Sequence, residues 1–160
     1  MPSITIRPAA PADGPLIAKF NALMALETEH RTLEHKVLRL GVEAVLGDRS
    51  KGIYYVAEIG GTVIGQLMIT YEWSDWRNGT FWWIQSVYVL EEYRGKGVFK
   101  TLFQFIEREA KSRKDVCGLR LYAEKENERA KKTYERLGMK KTSYELFEID
   151  FVLKNSGGHS

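Results

Sequence analysis

The residues with the most chemical reach are Tyr93-Arg94-Gly95-Lys96-Gly97-Val98, where an apolar run gives way to helical spacing. Glycines let the backbone come close to a ligand, and the first amides of a helix have no internal acceptors, so such a turn suits an anion. Arg94, Lys96 and Lys100 add positive charge, and a diphosphate fits the arrangement. A plain strand-to-helix turn, with glycines for positive φ, accounts for the same residues without a ligand. Two other phosphate motifs fail on named residues. A P-loop requires Ser or Thr after Gly-Lys, and Lys96 is followed by Gly97. A dinucleotide-binding turn requires a third glycine where Lys100 stands and a first glycine directly after the strand, whereas Leu90-Glu91-Glu92-Tyr93 intervenes.

Further along, Tyr134 stands two helical turns beyond Asn127, so both can face one cleft. A core tyrosine on an amphipathic helix has the same spacing. Three carboxylates invite attention. Glu27 falls within the apolar stripe of a helix, where it either reaches solvent at a frayed end or faces a cationic group. Glu72 leads into the loop Trp73-Ser74-Asp75-Trp76, and Asp75 lies in it. Trp73, Trp76, Trp82 and Trp83, with Tyr71 and Phe81, are mostly core residues, but a few could attract an alkylammonium by ~0.5–2 kcal/mol. His30, His35 and His159 have no metal-ligand spacing, so no metal is expected.

These residues need elements to hold them. Ile4-Thr5-Ile6-Arg7 alternates as a strand, stopped by Pro8 and Pro11. Asp13 is a plausible N-cap for a helix carrying Leu16, Ile17, Phe20, Leu23 and Met24, and residues 34–46 read as a second helix. Two strands follow around a Gly60-Gly61 hairpin turn, and a third, residues 81–89, has apolar side chains on both faces, as a central strand would. Phe99, Leu102, Phe103, Ile106 and Ala110 mark an amphipathic helix. A strand over residues 118–123, a helix capped by Asn127 and stopped by Gly138, and a last strand over residues 142–151 complete the chain. The expected fold is α/β (α+β), in the order β-α-α-β-β-β-α-β-α-β. It has a mixed, mostly antiparallel twisted sheet of six to seven strands and about four helices. One domain spans residues 1–153, and the Gly/Ser-rich residues 154–160 form a disordered tail.

Composition narrows the function class. Of the 160 residues, 44% are hydrophobic and 28% charged, which suits a globular domain and argues against disorder. The net charge is only +3, but cations gather in the second half, at Arg94, Lys96, Lys100, Arg108, Lys111, Arg129, Lys131 and Lys132 among others, and favour an anionic ligand. Interleaved acids such as Glu107, Glu124 and Glu128 argue against a nucleic-acid surface. Cys117 is the sole cysteine, so no internal disulfide forms, and no apolar run is long enough to span a bilayer. A cytoplasmic location is the expectation, with no membrane partner.

At the glycine turn the sequence resembles the GCN5-related N-acetyltransferase superfamily. Its signature there is Arg or Gln, two residues, Gly, one residue, then Gly or Ala. Arg94 and Gly97 match, and Phe99 departs in the last position. Asn127, Ala130, Tyr134, Leu137 and Gly138 are similar to its second signature. The resemblance implies acetyl-CoA as donor, its pyrophosphate held by the amides of Arg94, Gly95, Lys96, Gly97, Val98, Phe99 and Lys100. It also implies that the backbone of Val87, Tyr88 and Val89 bonds the pantetheine arm, that Asn127 assists, and that Tyr134 lies beside the departing sulfur. Residues 71–89 look most like diamine-type, small-amine members, except that Gln85 stands where those enzymes place a glutamate. A homodimer is also implied.

Acetyl transfer to an amine requires the free base, and stripping a proton from an ammonium of pKa ~10.4 at pH 7 costs roughly 4–5 kcal/mol. Gln85 cannot take that proton, so the candidate bases are Glu72, first, then Asp75 and Glu27, and Glu27, Asp75 and Gln85 are expected to line the acceptor. A phenol of pKa ~10 giving its proton to a thiolate of pKa ~8.5 goes uphill by about 2 kcal/mol, so Tyr134 is expected to stabilise the sulfur chiefly by a hydrogen bond. Two alternatives stand beside acetylation of a small amine. One is an acyl-CoA sensor without turnover, suggested by Gln85 and Phe99, and the other is acetylation of a protein or peptide.

Overall fold

A computed structural model describes residues 3–153. Its elements are β1 (Thr5–Pro8), α1 (Gly14–Glu29), α2 (His35–Gly47), β2 (Ile53–Ile59), β3 (Thr62–Ser74), β4 (Gly79–Val89), α3 (Val98–Lys111), β5 (Val116–Leu121) and α4 (Glu128–Arg136). The strands form one sheet in the order β1-β2-β3-β4-β5, antiparallel throughout except for the parallel pair β4–β5. That parallel pair needs a crossover, and α3 supplies it.

Local chemistry explains most of these boundaries. Gly60 and Gly61 both have positive φ, 56° and 80°, which suits the two-residue hairpin between β2 and β3. Glu34 caps α2, its carboxylate accepting from the amides of Lys36 and Val37. Asp13 precedes α1 but does not cap it. Its carboxylate instead accepts from the Ala10 amide and from Arg7, which also binds Glu58 on β2. On one face of the sheet, α3 buries Leu102, Phe103, Ile106 and Ala110 against Tyr55, Ile64, Ile69, Trp82 and Ile84. On the other face, Ile17, Ala18 and Val42 of α1 and α2 pack on Tyr54 and Val56.

The sequence reading differs from the structure at the C-terminal end. Among the described residues there are five strands, not six to seven, and the order ends β-α rather than β-α-β. Residues 142–151 carry a strand's alternation but no strand forms there, because a strand exists only where its backbone finds a partner, and here it finds none. Residues 154–160, expected to be a disordered tail, lie outside the described residues.

Of the register shifts in the sheet, the one between β3 and β4 shapes the most around it. Gln66 faces Tyr88 and Met68 faces Gln85, so β4 carries one residue more than β3 between these pairs, and Ser86 takes a φ of 51°. A positive φ at a non-glycine residue needs support, and a chain of buried side chains provides it. The amide of Gln66 donates to the Ser86 carbonyl at 3.0 Å and to Asn21 Oδ1 at 2.9 Å, and Asn21 Nδ2 in turn donates to the Tyr54 hydroxyl at 3.1 Å. Gln66 is wholly buried and Asn21 nearly so.

Replacing Gln66 by Leu strands the Ser86 carbonyl and Asn21 Oδ1 without their donor. A buried polar group left unpaired costs about 1–3 kcal/mol. Urea denaturation of Gln66→Leu is expected to show a loss of that size, and isothermal titration should show weaker acetyl-CoA binding, because the bulge relaxes.

Candidate active site

Beyond the bulge the sheet opens. β5 pairs with β4 only from Thr80↔Val116 to Ile84↔Leu121, after which the two strands part. From Gln85 to Val89 the β5-facing edge of β4 is therefore without a strand partner, while the other edge stays bonded to β3 as far as Val89↔Gly65. Val87, Tyr88 and Val89 thus present free backbone groups along one wall of a cleft.

That cleft ends at the glycine turn. A single 3-10 turn, Glu91–Tyr93, leads from β4 into Arg94, and Gly97 precedes the first residue of α3. Gly95 and Gly97 have φ of 76° and 80°, and a β-carbon at either would meet nothing within 4 Å. The glycines therefore serve backbone conformation and leave open space in front of the chain. Among the described residues the amides of Gly95 through Lys100 have no backbone acceptor, and the next one, Thr101, bonds the Gly97 carbonyl. A row of free donors at the head of a 14-residue helix is an anion site.

A cleft of about 490 Å³ lies over this turn, lined by Val89, Tyr93, Arg94, Gly95, Gly97, Val98, Phe99 and Lys100 on one side and by Arg129, Lys132, Thr133 and Arg136 of α4 on the other. Five of these residues are cationic and none is acidic, so the site fits a polyanion carrying several phosphates. The α4 residues were not singled out as a binding group in the sequence. Their signal was nonetheless present, because positions 129, 132, 133 and 136 fall on one helical stripe.

Arg94 lines the cleft with its guanidinium already engaged. Its Nε donates to the Val89 carbonyl at 2.8 Å, and its Nη2 pairs with Glu27 at 2.8 Å. Tyr88 donates its hydroxyl to the other oxygen of Glu27 at 2.6 Å. Glu27 sits on the inward stripe of α1 because it clamps that helix to β4 and to the turn. The Tyr88 hydrogen bond and then Arg94 hold the Glu27 carboxyl below the usual range, while burial and the Glu27 charge push the Tyr88 phenol up to about 12.

Phe99, the departure in the signature, turns its ring toward Phe103 and meets Tyr134 edge-on at 5.8 Å between centroids. Burial raises the Tyr134 phenol. Asn127 caps α4, its side-chain oxygen accepting from the Ala130 amide at 3.1 Å, and it does not line the cleft.

The acceptor-side residues are spread along the sheet. Gln85, at the point where the strands part, donates to Thr70 Oγ1. Glu72 lies opposite Phe81, four residues down β4 and so about 13 Å away along the strand. Its Oε1 accepts from Trp83 Nε1 at 3.1 Å and pairs with Arg120 at 2.6 Å, leaving Oε2 open. Trp83 stacks on Tyr122 of the segment after β5 at 4.5 Å. Asp75 lies in the β3–β4 turn, beyond the Ser74↔Gly79 pair and about 20 Å from Gln85 along the strand, so the structure does not bring it to the cleft. Among the described residues no cluster of His, Cys, Asp or Glu could hold a metal ion, and no helix is long and apolar enough to cross a membrane.

A sheet prised open beside an anion-binding glycine turn and a basic helix defines an acyltransferase that draws on a coenzyme A thioester. The chain belongs to the acetyltransferase (GNAT) family, whose model matches residues 20–139, and its donor is acetyl-CoA. It is similar to the crystal structure of a possible acetyltransferase from Clostridium difficile 630, with 49% identity, 94% of this chain and 99% of that chain covered, and a TM-score of 0.87. Two more distant structures share the fold. A predicted acetyltransferase with acetyl-CoA from Clostridium acetobutylicum is 18% identical, with 94% and 97% covered and a TM-score of 0.74. A ribosomal-protein-alanine N-acetyltransferase from Brucella melitensis biovar Abortus 2308 is 21% identical, with 93% and 99% covered and a TM-score of 0.75. No curated protein matches the chain closely enough to count as a relative.

Gly97→Ala puts a β-carbon on a left-handed residue at the mouth of the anion site. The strain costs ~1–2 kcal/mol and displaces the first amides of α3. Isothermal titration is expected to show acetyl-CoA affinity falling at least tenfold, whereas Gly47→Ala, at the end of α2, should leave it unchanged.

Proposed function

We propose that this protein transfers the acetyl group of acetyl-CoA to the primary amine of a small molecule by direct attack. The observation that carries the reading is the free β4 edge from Gln85 to Val89, which runs from the glycine turn to the open sheet face holding Gln85, Thr70 and Glu72. Bound there, acetyl-CoA supplies an activated thioester. The amides from Gly95 to Lys100, with Lys100, Arg129, Lys132 and Arg136, hold its phosphates. Val87, Tyr88 and Val89 orient the arm through their unpaired backbone groups, which fixes the carbonyl before attack.

The amine enters from the α1/α2 face. Glu72 Oε2 is the open carboxylate oxygen on that face, and it draws an ammonium and takes its proton directly or through water. Trp83 and Tyr122 offer aromatic faces to an alkyl chain carrying the charge. Gln85 is spent on Thr70 and orients the acceptor without titrating. Tyr134, half-buried and with its phenol raised, is a poor proton donor and a good hydrogen-bond donor to the leaving sulfur. Acetyl-CoA should therefore release free thiol with some members of an amine panel. Tyr134→Phe should lower kcat roughly 10²-fold with little change in acetyl-CoA affinity. A panel of diamines, polyamines and amino acids giving no thiol above hydrolysis would favour the sensor reading.

The pH dependence separates the groups. Glu27 has a depressed folded value, so the Glu27–Arg94–Tyr88 clamp contributes stability above the ordinary carboxylate range and loses it only as pH falls through that lower value. Tyr88, at about 12, stays protonated. Neither titrates between pH 6 and 9. In that window kcat/KM is expected to rise about tenfold per pH unit with the free-amine fraction of the acceptor. Glu72→Gln should lower the whole curve, whereas in Tyr88→Phe the slope should persist.

A further inference from the structure

The sheet face beside the free β4 edge carries a charge pattern of its own. Trp83 is paired with Thr70 on β3 and with Arg120 on β5, and Glu72 lies two residues beyond Thr70, so all four share the face on which Gln85 meets Thr70. Solvent reaches this floor, since the Glu72 side chain and Tyr122 are about half exposed.

Arg120 is fixed here on two sides. Its guanidinium carbon lies 3.7 Å from the centre of the Phe81 ring, and its Nη1 donates to Glu72 Oε1 at 2.6 Å. Among the described residues its Nε and Nη2 donate to nothing, which leaves the Nε/Nη2 edge able to take a carboxylate through two parallel bonds. Glu72 is the counterpart. Its Oε1 is taken by Arg120 and Trp83, and its Oε2 is open. The pair therefore offers one donor edge and one acceptor oxygen side by side, and the complement of that pattern is a molecule with an ammonium and a carboxylate on neighbouring atoms.

Other acceptors match it less well. Arg77 also leans on Phe81, at 4.8 Å, so two guanidiniums border the one carboxylate, and a polyamine meets more repulsion than attraction. The N-terminus of a protein carries an amide where the carboxylate should be and leaves the Arg120 edge unmatched. A side chain has room beside the charges, because Trp83 and Tyr122 stack at 4.5 Å where the strands part. Trp83 stands two residues, roughly 7 Å, before Gln85, the first residue of the free edge.

We propose that the acceptor is a free α-amino acid, its carboxylate held by the Nε/Nη2 edge of Arg120 and its ammonium by Glu72 Oε2. This rests on acetyl transfer to a small amine at this face and names the class of amine. One proton of the ammonium passes to Glu72, the freed lone pair forms the N–C bond, the C–S bond breaks, and a second nitrogen proton ends on the sulfur. The products are an N-acetylamino acid and CoA. Acetylation removes the positive charge that Glu72 holds, so the product loses one of its two anchors.

The test assays thiol release from a set of L-amino acids, each beside its amide and its decarboxylated amine. The amino acid is expected to lead in kcat/KM by at least about tenfold, as hydrogen bonds between charged groups allow. Equal rates, or faster amides and amines, overturn the inference and leave acetylation of small amines standing. Arg120→Met keeps the packing over Phe81 and should raise KM for the amino acid, bringing its ratio to the amine toward one, while Arg120→Lys restores part of the preference. An unchanged ratio in Arg120→Met also overturns the inference, and if that variant fails to fold, the ratios of the unaltered protein decide. Should no compound release thiol, the acetylation reading fails and thermal melting of the CoA-saturated protein decides this inference alone. A higher melting temperature with amino acids than with their amides and amines supports it, and no such difference overturns it.

Discussion

The function of this fold rests on a break in sheet pairing, and the break rests on one buried glutamine. A regular β4 would keep its register with β3 and its neighbour β5 alongside, and no backbone would be left for a ligand. The extra residue around Ser86 turns the strand, and β5 leaves it after Ile84. Gln66 holds the turned carbonyl from inside the sheet, and Asn21 and Tyr54 hold Gln66. Gln66 Oε1 is buried without a partner, but the donors of the network are paired and tie α1, β2, β3 and β4 to one geometry. A hydrophobic residue at 66 would pack as well and would not specify the bulge.

The anion site depends on the same strand. Because β4 ends at Val89 and a single 3-10 turn follows, the free amides of α3 open onto the cleft in line with the unpaired strand edge. Arg94 fixes that alignment by bonding the Val89 carbonyl, and Glu27 anchors Arg94 to α1. The other cations of the cleft wall are Lys100 and the α4 residues Arg129, Lys132 and Arg136. The division is sensible physically. A guanidinium already hydrogen-bonded to a carbonyl and a carboxylate is a structural tie, whereas flexible cations at the rim can follow a mobile polyanion.

What was legible in the sequence was whatever local chemistry decides. The glycine turn, the Gly60-Gly61 hairpin and the amphipathic α3 each follow from residues near one another in the chain, and the structure places them as read. The bulge at Ser86 was not legible, since register is set by the pairing of β3 with β4 and nothing at Ser86 itself announces a positive φ. Glu27 was read as an oddity on an apolar stripe, but its partners lie more than sixty residues away. Asp75 was placed near the acceptor on composition, and strand geometry carries it to the far end of the hairpin. Residues 142–151 were read as a last strand, and no strand forms there. Periodicity reports a possible face and says nothing of whether the backbone finds a partner, and here it finds none among the described residues.

Phe99 shows how a departure from a signature can be absorbed. A small residue at that position lets a ligand approach the backbone closely, and a phenylalanine would obstruct it if the ring stood over the turn. The ring instead follows the helix back toward Phe103 and packs edge-on against Tyr134, while the amide stays without a backbone acceptor. Packing of this kind covers part of the half-buried Tyr134 ring, and burial is the cause of the phenol's raised value. In the proposed reaction a less acidic tyrosine moves the balance from proton transfer toward hydrogen bonding at the sulfur, because the transfer becomes more uphill while the hydrogen bond strengthens in a low-dielectric setting. The substitution at 99 and the environment of Tyr134 are therefore one feature: the bulk that departs from the signature packs against the ring whose phenol burial raises.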